Sequence, residues 1–373
     1  MKFAVISSAP FVTENDGFYA YSPYVKEIEI WAKYVTEFSV MCPVLKNSEG
    51  MLVSRISFPI ANIYEAKAFN VKSFSNLLKA LFFAFQNFLQ IYRAMVWADH
   101  IHLRCPGNIG LMACLIQVFF PFKAKTAKYA GNWDPMAKQP LSYRIQKWIL
   151  SNTFLTRNMQ VLVYGHWERS TKNIKPFFTA TYKDSDKMPI AVKPEDTAIN
   201  FLFVGTLAPG KGPLYAIQLV ESLHLNGHDV SLDIFGNGSE KSRLKDYINS
   251  NKLNEIVSLK DNQPLEIVQK AYQQSHFLIL PSKSEGWPKV VAEAMFWGCV
   301  PLTTPVSCVP DMIANGKRGL LLKMDLRIDT QNIVQLLSNR PRYVTMSLEA
   351  AAWSQKYTLD LFESEIEALL HQN

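Results

Sequence analysis

From residue 200 onward the sequence alternates short apolar runs with helical stretches, and few folds accommodate that rhythm. Residues 200–204 (NFLFV), 230–235, 255–259, 276–281, 300–303 and 319–322 read as short strands. Runs this brief and mostly apolar suit strands buried on both faces. Helical patterns fill most of the intervals, at residues 213–225, from about Ser239, and at 264–274, 288–297 and 308–314. The alternation predicts a parallel sheet covered on both sides by helices. Such sheets bind ligands beyond the carboxyl ends of their strands. The loops that follow strands are therefore where chemistry is expected.

The first half repeats the pattern less clearly. Residues 3–7, 38–42, 100–103, 126–129 and 160–163 are strand candidates. Residues 76–97 predict a long amphipathic helix, with Gln86, Gln90 and Arg93 as its polar stripe. Leu81, Phe85, Phe88, Leu89 and Tyr92 supply its apolar faces. Core packing accounts for such a helix, and contact with a membrane is the alternative. The charged, proline-punctuated stretch at residues 183–195 (KDSDKMPIAVKPE) reads as a linker. The expectation is an α/β architecture of two Rossmann-like domains, residues 1–190 and 191–373, facing each other across a cleft.

Charge is unevenly shared. Residues 1–190 carry 22 Lys and Arg against 12 Asp and Glu, a net +10, while the remainder carries 17 against 20, a net −3. A basic half points to an anionic partner: nucleic acid, an acidic membrane surface or a phosphorylated substrate. A merely solubilising surface is the competing explanation. The five cysteines (Cys42, Cys105, Cys114, Cys299 and Cys308) are odd in number and form no CxxC pair. A disulfide framework or cysteine zinc site is not expected, and a reducing compartment fits. Residues 1–10 lack the long apolar core of a signal peptide and read as a first buried strand. No stretch reaches the roughly 18 apolar residues of a membrane span; residues 109–122 come nearest and contain Gln117.

Three strand-following loops carry the chemistry. In PSKSEGWPKVVAEAM, residues 281–295, a strand ends, a tight loop carries Glu285 and Gly286, and a helix begins near Pro288. Proline suits a first helical turn. Glu285 thus lies at the loop and Glu293 about two turns on. Carboxylates so placed accept from two sets of hydroxyls, as on a sugar and a ribose. The helix N-terminus offers unpaired N–H groups to a diphosphate. The alternative is that Glu285 only caps the helix and Glu293 is a solvated acid. In GTLAPGKG, Gly210 and Gly212 relax the backbone around Lys211, which can neutralise a pyrophosphate as a point charge. The loop lacks the GxxxxGK[ST] order of a P-loop. Gly236-Asn237-Gly238 closes a third strand.

Together, FLFVGTLAPGKG, IFGNG, LPSKSEG and the Glu285–Glu293 spacing resemble the C-terminal domain of the family 4 retaining glycosyltransferases, which have the GT-B fold. The run GCVPLTTPVSCVPDMIANGKRGLLL resembles the stretch that follows in that family. The resemblance covers about residues 198–325. It implies a donor site at Gly205, Thr206, Lys211, Gly236, Gly238, Glu285, Gly286, Trp287, Pro288, Lys289 and Glu293. Lys211 would contact the diphosphate, Glu285 and the N–H groups of the Gly286–Lys289 loop the sugar, and Glu293 the ribose. Many members carry arginine directly after the first glycine of the GTL element, where this chain has Thr206.

The N-terminal domain is expected to hold the acceptor. In YAGNWDP, Trp133 would stack on a sugar, with Asn132 beside it, and Asp134 would bond an acceptor hydroxyl; the alternative is an Asn-Trp-Asp-Pro turn held by its own side chains. Arg104, with His100 and His102, ends another strand, and a first-strand loop at residues 11–24 holds Asp16 and Gly17. Lys211, Glu285 and Asp134 are the catalytic candidates. The resemblance implies a retaining reaction without a protein nucleophile or a metal. Asp184-Ser185-Asp186 has the metal-binding DxD form but falls in the linker. The expected partners are a nucleotide-sugar donor and a glycan or lipid-linked acceptor, with peripheral contact to anionic membrane at the cytoplasmic face, in bacterial surface polysaccharide synthesis. The rivals are a catalytically silent GT-B partner, a sugar-nucleotide epimerase and a nucleic-acid binder; for the last, no recognition motif is present.

Overall fold

The computed structural model describes residues 1–14, 17–48, 51–67, 77–191, 193 and 198–371, with the backbone alone for 77–81. The chain divides into two compact units, Met1–Phe177 with Glu363–Asn373, and Phe178–Phe362. The division falls just ahead of the charged stretch read as a linker, and the end of the chain returns to the first unit.

The first unit is built on a seven-stranded parallel sheet in the order β11-β10-β9-β8-β1-β4-β7. Its strands are β1 (Lys2–Ile6), β4 (Glu37–Cys42), β7 (Asn62–Glu65), β8 (His100–Cys105), β9 (Ala124–Tyr129), β10 (Met159–Tyr164) and β11 (Ile174–Phe177). Its helices are α1 (Ser22–Lys33), α2 (Leu77–Trp97), α3 (Asn108–Ile116) and α4 (Leu141–Ser151). One sheet face, through Ile6, Leu103, Ala127 and Val161, packs against Ile91 and Met95 of α2, Ala113 and Cys114 of α3, and Ile149 and Leu150 of α4. Those three helices therefore form one layer.

Residues 11–24 are not a loop. They form a hairpin of β2 (Phe11–Glu14) and β3 (Gly17–Tyr21), in which Glu14 opposes Gly17, followed by the start of α1. The hairpin belongs to a four-stranded sheet with β5 (Val44–Leu45) and β6 (Val53–Arg55). Alternation of polar and apolar residues is weak here, which hid the strands.

The second unit holds a six-stranded parallel sheet in the order β14-β13-β12-β15-β16-β17. The strands are β12 (Ile199–Val204), β13 (Val230–Phe235), β14 (Val257–Leu259), β15 (Phe277–Leu280), β16 (Val300–Thr303) and β17 (Leu320–Leu321). Around them lie α5 (Pro213–Leu225), α6 (Lys241–Ser250), α7 (Leu265–Gln274), α8 (Lys289–Phe296), α9 (Val309–Met312), α10 (Leu326–Leu337) and α11 (Arg340–Ser354). The final helix α12 (Leu359–His371) begins in this unit and ends in the first. Both units are thus Rossmann-like. In each sheet the strand order reverses once, between β1 and β8 and between β12 and β15, and crevices open beyond the carboxyl ends of the strands at such points.

All five cysteines are buried and free. Loss of solvation pushes the thiols of Cys42, Cys299 and Cys308 up to about 12. Among the described residues, no helix is long and apolar enough to cross a membrane.

Candidate functional site

In the second unit the loops after β12 and β15 meet at the reversal of strand order. Lys283 donates its backbone N–H to the Gly210 carbonyl at 2.8 Å, which seats the PSKSEG loop on the GKG loop. Gly212 adopts a left-handed φ of 69° as the cap of α5, and a Cβ there would lie 2.8 Å from the Pro281 carbonyl oxygen. Only glycine fits both demands. The seating brings Lys211 Nζ within 2.6 Å of Glu285 Oε1. The Glu285 side chain is 9% exposed and that of Lys211 32%. A carboxylate so enclosed needs its partner, and the pair fixes both groups before any ligand arrives. Each carboxylate oxygen keeps further acceptor capacity for hydroxyls.

The loop after β13 closes over the same ends. Leu207 N–H bonds the Asn237 carbonyl at 3.0 Å, and Glu240 N–H bonds the Leu207 carbonyl at 2.9 Å. A Cβ on Gly236 would fall 1.9 Å from the Gly205 carbonyl oxygen, so the two loops touch through bare backbone. The three glycine-bearing elements, separate in the sequence, are one surface. Gly286 is held from beyond by Ser307 Oγ, which donates to its carbonyl at 2.9 Å. Pro288 precedes α8 as its cap residue, which sets the amino end of that helix directly after the loop.

Thr206, Trp287 and Glu293 complete the donor-side candidates. Thr206 is exposed and supplies no cation. The basic residue beside Lys211 is Lys283, exposed and seated on the Gly210 carbonyl by its backbone. Trp287 turns into an aromatic cluster, stacked on Trp353 at 6.2 Å and edge-on to Tyr357 at 5.8 Å. Glu293 is not a solvated acid: its oxygens accept from Thr181 Oγ1 at 2.7 Å and from the buried Tyr272 hydroxyl at 3.0 Å. The void beside it, lined also by Lys289, is about 10 Å³, room for about one water. A ribose would have to share Glu293 with these hydroxyls.

In the first unit the loops after β1 and β8 approach where the strand order reverses. A Cβ on Gly107 would lie 2.6 Å from Ser8 Oγ. Beneath them sits a buried charge cluster. Glu27 of α1 pairs with Arg104 at the end of β8 and with Lys128 of β9, the latter at 2.9 Å. Burial alone would raise the Glu27 carboxyl, but Arg104 and Lys128 outweigh it and hold the carboxyl below the usual carboxylate range. Two cations against one carboxylate leave one excess positive charge. Glu27 and Lys128 escaped the sequence reading, although a lysine inside the run KTAKY was the available signal.

The NWDP element is the self-bonded turn and offers no sugar platform. Asp134 N–H bonds Asn132 Oδ1 at 2.9 Å, and Met136 N–H bonds Asp134 Oδ1 at 2.8 Å. Trp133 is 5% exposed and packs edge-on to Tyr129, so it has no open face to stack on a sugar. His100 and His102 do not line a site either; both are buried and share Thr126 Oγ1, at 3.0 and 2.8 Å. Gly17 starts β3, and Asp16 lies outside the described residues. In the DxD run, Asp184 pairs with Lys187 at 2.6 Å and Asp186 accepts from the Lys183 N–H.

Residues 184–352 match the family model described as Glycosyl transferases group 1. An uncharacterized glycosyltransferase of Methanocaldococcus jannaschii is 25% identical over 158 residues, 42% of this chain and 43% of that protein. The putative colanic acid biosynthesis glycosyltransferase WcaL of Salmonella typhimurium is 26% identical over 138 residues, 35% of this chain and 34% of that protein. The chain thus aligns with half or less of the length of the curated relatives it matches. Among solved structures, the Anabaena protein HepE in complex with UDP and glucose superposes with a TM-score of 0.70 at 13% identity, covering all of both chains. At that identity the likeness speaks for the fold, which is GT-B.

Proposed function

We propose that this chain, whose residues 184–352 match the Glycosyl transferases group 1 model, is a metal-independent glycosyltransferase that moves a sugar from a nucleoside diphosphate to an acceptor hydroxyl with retention of configuration. The observation that carries this reading is the Lys211–Glu285 contact of 2.6 Å, held by three glycine loops at the carboxyl ends of β12, β13 and β15. A cation and an enclosed carboxylate, fixed together beside the start of α8, suit a ligand that carries a diphosphate and sugar hydroxyls. Negative charge grows on the diphosphate as the sugar leaves. Lys211 and the positive end of the α8 dipole stabilise that charge without reorganising. Glu285 accepts from the sugar hydroxyls and orients the ring, and Glu293 shares its remaining lone pairs with the ribose. The acceptor oxygen bonds the anomeric carbon on the face from which the diphosphate leaves as the carbon–diphosphate bond breaks, and the diphosphate takes the acceptor proton, so neither a protein nucleophile nor a protein base is required.

The acceptor is a glycan or lipid-linked saccharide of a bacterial surface polysaccharide. Similarity to WcaL supports this, as does the excess charge at Arg104 and Lys128, which suits an anionic acceptor. The protein works in the cytoplasm, in peripheral contact with anionic membrane. Thr206 supports a second reading, a silent partner that binds the donor without transfer.

The test is a thermal-shift panel of UDP, GDP, ADP and CMP with their sugar forms, followed by transfer from the sugar nucleotide that binds. A ligand of the folded state raises the melting temperature by mass action. If no nucleotide shifts it, the donor-site assignment fails; binding without transfer to any saccharide acceptor favours the silent partner.

A further inference from the structure

Exposed aromatic side chains are unevenly distributed. In the second unit, the large hydrophobics exposed among the described residues are all aliphatic, such as Leu225 and Ile267. In the first unit, exposed aromatics gather on the outer side of the α2–α3–α4 layer. Phe82, Phe85, Phe88 and Tyr92 of α2 are 58%, 60%, 38% and 43% exposed. They recur every three or four residues, so they share one side of the helix. The opposite side buries Asn87, Ile91, Ala94 and Met95, and Asn87 is anchored to the Lys67 backbone. The helix therefore presents its largest apolar groups outward, the reverse of what a core helix does. Trp148 on α4 is 62% exposed, and Phe122, beyond α3, is 88% exposed.

Charge follows the same map. Between Glu65 and Glu168 the sequence holds twelve Lys and Arg but only two acids, Asp99 and Asp134. A cavity of about 760 Å³ adjoins the layer at the amino ends of β9, β10 and β11. Its lining includes Phe122, Arg157 and Lys172 and no carboxylate. Arg157 and Lys172 are exposed, and neither has an ion-pair partner among the described residues. The Arg157 guanidinium lies over the ring of Phe154, itself 70% exposed.

We propose that the outer face of the α2–α3–α4 layer seats on an anionic phospholipid bilayer, with its aromatics at the headgroup boundary and a lipid phosphate received by Arg157 and Lys172. Large exposed apolar patches mark interaction surfaces. Aromatic rings settle where apolar chains meet headgroups, and the surrounding cations match an acidic leaflet. A protein partner would leave the excess of positive charge unmatched unless it were itself strongly acidic. The inference deepens the membrane contact proposed above and rests on it, but does not depend on the transfer reaction.

Co-sedimentation with vesicles tests it, comparing phosphatidylcholine alone with mixtures containing phosphatidylglycerol, at low and high salt. The full chain is expected to bind the anionic vesicles at low salt and to be released at high salt. F85S/F122S/W148S should weaken binding about ten-fold or more, and R157A/K172A should weaken it on anionic vesicles alone. All five side chains are exposed, so unchanged thermal melts should confirm that both variants fold. If the wild type binds but F85S/F122S/W148S binds equally well, this face is the wrong one while membrane contact stands. Failure of the wild type at low salt overturns both. Self-association that F85S/F122S/W148S abolishes would assign the face to a second copy and overturn the proposal.

Discussion

Lys211→Met is the substitution whose consequences the structure constrains best. The Glu285 side chain is 9% exposed and its carboxylate bonds Lys211 Nζ at 2.6 Å. Removing the ammonium leaves an enclosed carboxylate without its cation. Breaking a fully buried pair costs about 3–5 kcal/mol. Lys211 is 32% exposed, so water can partly replace it, and about 1–2 kcal/mol is the better figure. In a domain of this size each kcal/mol corresponds to about 2–4 °C of melting temperature, so a fall of about 2–8 °C is expected. Glu285→Gln should cost less, because its amide oxygen still accepts from a lysine that water already reaches. The double variant should be more stable than Lys211→Met alone, since it has no orphaned carboxylate. In the proposed reaction the same lysine faces the diphosphate as charge grows there, so turnover should fall about ten- to a hundred-fold, with a smaller effect on nucleoside diphosphate affinity. Thermal melts of the three variants and single-turnover kinetics measure both effects. Additive stabilities in the double variant, or equal losses of affinity and rate, would refute the reasoning.

Glu293→Ala should weaken nucleoside diphosphate binding by about 1.5–3 kcal/mol, through lost hydrogen bonds to a charged group; unchanged affinity by calorimetry in a folded variant removes Glu293 from the site. The first unit should be acid-labile. Burial pushes the His100 imidazole down to about 4, and His102 well below its ordinary value, with Arg104 adding to the effect of burial. Below about pH 6.5 the unfolded chain therefore takes up protons that the folded chain refuses, and stability falls with pH. His100 alone should contribute a loss of about 2–3 kcal/mol by about pH 4.5. The Glu27 carboxyl, held low, adds to this loss only once the pH falls below its ordinary value of 4.5. Urea titrations across that range check the sign, and a flat profile would contradict the burial argument. Transfer activity should survive excess EDTA; if chelation abolished it and magnesium or manganese restored it, the metal-independent mechanism would be wrong.

The strands of the second unit and the three glycine-bearing loops that follow them were legible in the sequence. The strand β15 is a continuous apolar run, FLIL, buried along its whole length, because a parallel sheet buries both faces. Gly212 and Gly236 were legible for a similar reason: a backbone that touches another backbone tolerates no side chain. Such constraints act within a few residues and so leave a local mark. The first unit was less legible, because its small sheet joins a hairpin to two short strands further along the chain, with weak alternation. Tertiary structure alone decided what depends on distant partners. Lys211 and Glu285 stand 74 positions apart, and only the reversal of strand order between β12 and β15 makes them a pair. Glu293 reads as a surface acid until Thr181 and Tyr272 are folded against it. Trp133 reads as a sugar platform until its ring is packed on Tyr129. The aromatic side of α2 is a property of its sequence, but that it faces outward was settled by Asn87, Ile91 and Met95, which turn the other side to the sheet. Periodicity shows that a helix has two faces, and only the packing of the layer beneath selects which one is buried.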